Sequence, residues 1–220
     1  VKKVETRKLF FGKYLYKITL MNVLGSIFRG KNFTYAGEIL DSLQQDYENG
    51  QPLVRKTFSK EFKIPSEHFT DCQIIFNMCP KWDDFLFRIE GPNFGIYSNT
   101  KEDLELLITK LQTVTEYHEP DPKMVELLES NIQIVDDKPE YIYKVYLSDK
   151  ATPGFAKWAV ANQDKIKLGH SLKKHIENNG YLRGFYFWVK DEKVLLLVKM
   201  IIGGKIQRID KLVSKLDLDK

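Results

Sequence analysis

Cysteine is nearly absent: Cys72 and Cys79 are the only two in 220 residues. They flank an apolar run and read as a buried free pair. A chain of this length needs no disulfide scaffold, the C-x₂₋₄-C spacing of zinc sites is missing, and a reducing compartment is expected. Histidine is equally scarce. His170 and His175 miss the i,i+4 spacing that aligns ligands on one helix face, and His68 and His118 are isolated, so no metal and no cofactor is expected. No run of eighteen apolar residues occurs, which argues against a membrane-spanning helix and for an intracellular protein, cytoplasmic or held in a nucleoprotein assembly. The sequence opens at Val1 with charged residues and no signal-like core, although a leader removed earlier stays open because Met does not begin it.

The common catalytic fingerprints are missing as well. There is no G-x-x-x-x-G-K-[ST], no G-x-G-x-x-G and no G-x-S-x-G, so phosphate-cradling and nucleophile-elbow chemistry has no support. Gly203-Gly204-Lys205 lacks the rest of a cradle and reads as a turn. Asp83-Asp84 has no second carboxylate set for magnesium and reads as a solvated turn before a strand. No catalytic residue is assigned.

What the chain has in quantity is aromatic surface. Fourteen Phe, eleven Tyr and three Trp residues, within a hydrophobic content of 43%, are enough to drive a packed fold and exclude disorder along the whole chain. The formal charge of +4 is only mildly basic. It permits an anionic partner without requiring one, because recognition depends on where charges cluster.

The sequence also repeats itself. KYLYKITL (13–20) is echoed by EYIYKVYL (140–147), SLQQDYEN (42–49) by SLKKHIEN (171–178), and DFLFRIE (84–90) by GFYFWVK (184–190). Three echoes in one order predict a duplicated unit. The first unit is expected over 1–119 with an insertion at about 51–83, a structured linker over 120–139, and a second unit over 140–220. The alternation of 13–20 and 141–147 predicts strands, and Ala36, Ile39, Leu40, Leu43 and Tyr47 predict a helix capped by Thr34. Short strands are expected at Leu53–Phe58 and Cys72–Phe76, a hairpin over 84–98 around Gly91-Pro92-Asn93, and a helix over 103–111. Beyond Pro120-Asp121-Pro122, the pattern suggests a short helix over 123–129 and a strand over 132–135. Helical faces follow at Phe155, Trp158 and Ala159 and over 172–176. Next come a hairpin of 184–190 with 194–202, and a terminal helix carrying Ile206, Ile209, Leu212, Val213 and Leu216, with a strand after the double glycine as the alternative. Helices packed on one face of mostly antiparallel sheets make this an α+β fold.

Tyrosine and lysine on strands are the one functional clue. Tyr14 with Tyr16, and Tyr141 with Tyr143, share strand faces on which bases can stack, while nearby cations attract phosphates. The bland alternative is that these rings simply cover helices. Lys13, Lys17, Arg29, Lys31, Lys144, Lys173, Lys174, Lys205 and Arg208 are the candidate phosphate contacts, against the alternative of an ordinary solvated surface. The expected activity is therefore non-enzymatic binding of single- or double-stranded nucleic acid. The competing reading is a structural or protein-interaction module of a viral, phage or other macromolecular assembly, or a homo-oligomer.

Overall fold

A computed structural model describes residues 1–56 and 61–217. The chain forms two compact units, one of Val1–Thr6 with Lys13–Val125 and the other of Arg7–Gly12 with Glu126–Lys220. The first contains β1 (Lys2–Glu5), β2 (Tyr16–Met21), α1 (Phe33–Glu48), β3 (Val54–Lys56), β4 (Glu61–Lys63), α2 (Ser66–Met78), β5 (Phe85–Glu90), β6 (Asn93–Ser98), α3 (Lys101–Lys110) and β7 (Val114–Glu119). Five of these strands form one sheet in the order β1-β7-β2-β6-β5, while β3 and β4 pair separately. All neighbours in the sheet are antiparallel except β1, which runs parallel to β7.

The second unit contains β8 (Ile132–Val135), β9 (Tyr143–Leu147), α4 (Pro153–Ala161), β10 (Ile166–Leu168), α5 (His170–Glu177), β11 (Tyr186–Val189), α6 (Glu192–Ile202) and β12 (Ile206–Ser214). Its sheet order is β10-β11-β9-β12-β8, again antiparallel except for β8 alongside β12. The two sheets therefore share one topology: β1, β2, β5, β6 and β7 occupy the places of β8, β9, β10, β11 and β12. The last four strands of each follow the strand order of the split β-α-β-β-α-β arrangement, with α5 added between β10 and β11 in the second unit and one extra parallel edge strand preceding the set in both. The fold is α+β with two structurally similar units, the signature of an internal duplication. The pair β3–β4 and helix α2 lie between α1 and β5, where the second unit passes from α4 to β10 through residues 162–165 alone.

Of the three echoes, only the first falls on equivalent strands, β2 and β9. The other two do not. SLQQDYEN lies in α1, before the outer strand, whereas SLKKHIEN lies in α5, after it. DFLFRIE forms the outer strand β5, whereas GFYFWVK forms the inner strand β11.

Each core lies on the helix-bearing side of its sheet. Alternation places Ile18, Leu20, Phe94 and Ile96 against Leu40, Leu43, Phe69, Ile75 and Leu104 in the first unit. Val145, Leu147, Phe187 and Val189 meet Phe155, Leu172, Leu195, Val198 and Ile202 in the second. Helix α1 is capped by Asn32, whose side chain accepts from the Tyr35 N–H at 3.0 Å, rather than by Thr34.

Several local expectations are corrected. Residues 72–76 are helical, not a strand. Pro65 precedes the helix, Glu67 sits in its first turn, and Phe69, Cys72 and Ile75 recur at three-residue intervals on the buried face. The strand expected to end at Phe58 is described only as Val54–Lys56, since Phe58 lies outside the described residues. Residues 194–202 are a helix, not a hairpin arm: Asp191 caps it by accepting from the Val194 N–H at 2.9 Å. Gly203, at φ +63°, ends it. Residues 206–214 are a strand, not a helix. A bulge between Ile206 and Arg208 resets the alternation, so Ile206 and Ile209 both face the core despite a three-residue spacing that imitates a helix.

One buried carboxylate fixes a connection in the first unit. Asp71 is fully buried on α2 and accepts from the Gln112 N–H at 2.9 Å, the Thr113 N–H at 2.8 Å and the Thr113 hydroxyl at 2.6 Å. It thereby ties α2 to the turn between α3 and β7. Asp71→Ala leaves these donors without their acceptor and is expected to lower the unfolding free energy of this unit by about 2–4 kcal/mol, read as a lower urea midpoint. Burial pushes the Cys72 and Cys79 thiols up in pKa. Both should resist a thiol reagent at pH 8 in the native protein and react together once it is unfolded in urea, as a colorimetric thiol count would record.

Candidate functional site

With the helices on one side, the other side of each sheet carries the remaining alternate residues. In the second unit these are aromatic and basic. Across β9 and β11, Tyr146 faces Tyr186 and Lys144 faces Trp188. On the flanking strands, Arg208 faces Tyr146, Asp210 faces Lys144 and Lys167 faces Trp188. The Tyr146 and Tyr186 rings lie 5.3 Å apart, and Trp188 meets Tyr186 edge to face at 5.0 Å, so the rings form a continuous strip.

Cations line this strip. Lys144 Nζ stands 3.7 Å from the Tyr186 centroid and 5.2 Å from that of Tyr146. The Arg208 guanidinium carbon lies 4.2 Å from the Tyr146 centroid, and Lys167 Nζ lies 5.7 Å from the Trp188 ring. Lys8, from the short segment 7–12 that belongs to this unit, lies 5.5 Å from the Tyr146 ring. Ring faces carry negative electrostatic potential, which favours these placements. Beneath them, the fully buried Asp210 accepts a hydrogen bond from Lys8 and forms an ion pair with Arg208 Nε at 3.1 Å. Lys8 and Arg208 thus share one buried carboxylate at this face, with Lys144 opposite it in register. A shallow cavity of about 270 Å³ opens beside Tyr146, Gln207 and Arg208.

The corresponding face of the first unit keeps one row and lacks the other. Lys17 faces Tyr97 as Lys144 faces Trp188, with Lys17 Nζ 5.8 Å from the Tyr97 ring. In the other row, Thr19 and Gly95 stand where Tyr146 and Tyr186 do, and Glu116 stands in the place of Arg208. A Cβ on Gly95 would come within 3.0 Å of Tyr97, whose ring lies over the glycine. His118 occupies the place of Asp210 and contacts Glu116 at 3.1 Å. Burial, together with the positive charges of Lys17 and Lys2, depresses the His118 pKa against the opposing pull of Glu116.

The residues expected from the sequence are dispersed over both units. Tyr14 precedes β2, is only 6% exposed and donates its hydroxyl to Asp84 at 3.1 Å, so its ring offers no open face. Tyr16 and Tyr143 are the core-side residues of their strands and pack against the two hydrophobic cores. Tyr141 is half-buried just before β9. Lys13 pairs with Asp84 at 2.7 Å, which, with the Tyr14 hydroxyl, holds that carboxyl below its usual range. Arg29 is exposed, and Lys31 lies 3.9 Å over the Phe85 ring on the helix side. Lys173 and Lys174 lie on α5, and Lys205 donates to the Lys150 carbonyl at 3.1 Å. Only Lys144 and Arg208 of the nine basic candidates join the aromatic strip.

Tyr186 and Trp188 have no place among the residues expected from the sequence, and Tyr146 none among the stacking candidates. The alternation in YFWV carried a usable signal: Phe187 and Val189 face inward, so Tyr186 and Trp188 face outward. Among known proteins, the chain matches no family model, no curated sequence and no solved structure. No group of three or more His, Cys, Asp or Glu suited to a metal ion occurs among the described residues.

Asp210→Ala is expected to destabilise the second unit by about 2 kcal/mol, because Lys8 and Arg208 lose their shared carboxylate but can still reach water. Lys8→Ala should cost at least as much, because it leaves the buried Asp210 carboxylate without its hydrogen-bond donor. Urea unfolding of the two variants, followed by near-ultraviolet circular dichroism, gives the comparison.

Proposed function

We propose that the protein is a nucleic-acid-binding or nucleoprotein-associated module that contacts its ligand through the helix-free sheet face of the second unit. The supporting observation is the strip Tyr146–Tyr186–Trp188 bordered by Lys144, Lys167 and Arg208. Aromatic faces accept bases whatever their identity, and cations beside them attract the phosphates that connect those bases. The buried position of Asp210 leaves the exposed charge of this face dominated by cations.

A second reading, a module of a larger assembly, draws on α6. Leu196, Leu197 and Met200 are exposed there, with Met200 82% accessible, and exposed apolar groups of this kind can anchor protein partners. Light scattering after size-exclusion chromatography bears on it, since a persistent monomer that captures no protein partner would count against this reading.

The nucleic-acid reading predicts saturable binding of labelled oligonucleotides, measured by fluorescence anisotropy at low salt and weakening as salt rises. Each phosphate contact removed, by Lys144→Ala or Arg208→Ala, should reduce the slope of log K against log salt by about 0.7–0.9. Lys174→Ala, on α5, should leave it unchanged. Binding that ignores salt would remove the phosphate-contact mechanism, and no saturable binding to any oligonucleotide would remove the reading itself.

A further inference from the structure

Resting on that reading, we propose that the ligand is a single strand bound by the second unit alone, with bases stacked on Trp188 and on the outer face of the Arg208 guanidinium. The separation of the two stacking points, the planar geometry of arginine and the differences between the two sheets all support this assignment.

Of the three rings, Trp188 is the least covered by cations. Lys144 lies 3.7 Å from the Tyr186 centroid and Arg208 4.2 Å from that of Tyr146, whereas the Lys167 amine near Trp188 is 5.7 Å away. Arg208 is itself a stacking surface. Its side chain is 44% exposed, its Nε forms an ion pair with buried Asp210 at 3.1 Å, and its planar group lies over the Tyr146 ring. An oriented guanidinium stacks a base on its free face while its positive charge meets phosphate. Asp210 is thus a positioning residue.

Trp188 and Arg208 belong to strands separated by β9. Two interstrand spacings across the sheet and a two-residue offset along it put them roughly 12 Å apart, with Lys144 on β9 opposite Trp188. That separation suits an extended strand contributing two or three bases, the number that aromatic residues on a four-stranded RNA-binding sheet stack. In a duplex, each base already stacks on its neighbours and pairs with its partner, so neither surface could reach a base face without unstacking. The first unit carries Thr19, Gly95 and Glu116 where the second has Tyr146, Tyr186 and Arg208. It lacks the second row of rings there and places a carboxylate where phosphate would approach.

The test uses the full chain and three labelled probes of the same sequence: single-stranded RNA, single-stranded DNA and duplex DNA, each titrated at low salt by anisotropy. Either or both single strands should bind at least tenfold more tightly than the duplex. Trp188→Ala should weaken single-strand binding about tenfold. Because that change also removes a ring packed on the sheet, Arg208→Lys is the companion variant. It alters an exposed side chain and keeps the charge, so a purely electrostatic contact retains wild-type affinity whereas stacking loses several-fold at unchanged salt slope. Lys17→Ala, in the first unit, should have no effect. Equal affinity for duplex and single strands, with Arg208→Lys at wild-type affinity, overturns the stacked single-strand assignment while leaving nucleic-acid binding intact. A marked loss with Lys17→Ala overturns the restriction to the second unit. Failure of every probe to bind the wild-type protein overturns the underlying reading as well.

Discussion

One-sided burial of two antiparallel sheets is the constraint on which everything else depends. Along a strand, successive side chains point to opposite sides, so a sheet that buries one set against helices must present the other elsewhere. In the second unit, Val145, Leu147, Phe187 and Val189 go to the helices. Lys144, Tyr146, Tyr186 and Trp188 are left together as a direct result. No separate device is needed to gather rings and cations from strands that are distant in sequence. Register brings them opposite one another, and a slip of one residue would exchange the whole set with the core.

The duplicated topology separates what the scaffold requires from what one surface has acquired. Both sheets keep apolar residues at most matched inward positions, such as Ile18 with Val145 and Ile96 with Phe187, because each must cover helices. The outward positions are under no such requirement and differ in charge as well as size: glutamate in one unit stands where arginine stands in the other. A Lys–aromatic pair persists in both, Lys17 with Tyr97 and Lys144 with Trp188, and it marks the row in which the two faces still agree.

The α+β class and most elements were legible because periodicity reports burial. Residues 13–20 and 141–147 alternate cleanly, and the stripe of α1 is regular. Legibility failed where two structures share a pattern. The run from Val194 to Ile202 is apolar at nearly every position, so only the cap at Asp191 and the glycine at 203 distinguish helix from strand. Ile206 and Ile209 imitated a helix because a bulge lies between them. The candidate site was partly visible for a related reason. Tyr143 and Tyr146 differ by three positions on one strand, so they face opposite sides, and choosing the repeated Tyr-x-Tyr selected the inward ring. Which side the helices cover is a tertiary property, and no local pattern states it.

The short segment that supplies Lys8 has a consequence for the order of events during synthesis. Its residues leave the ribosome well before their partners, flanked by sequence belonging to the other unit, yet Arg7 bonds to a carboxylate 129 positions later and Lys8 to one 202 positions later. The polypeptide up to Val125 can gather its own sheet while that segment has nowhere to dock. Only when β12 has emerged does the partner of Lys8 exist. A strand made late thus completes a contact whose other half was made 202 positions earlier, and the cationic border of the aromatic strip is finished only once β12 has emerged.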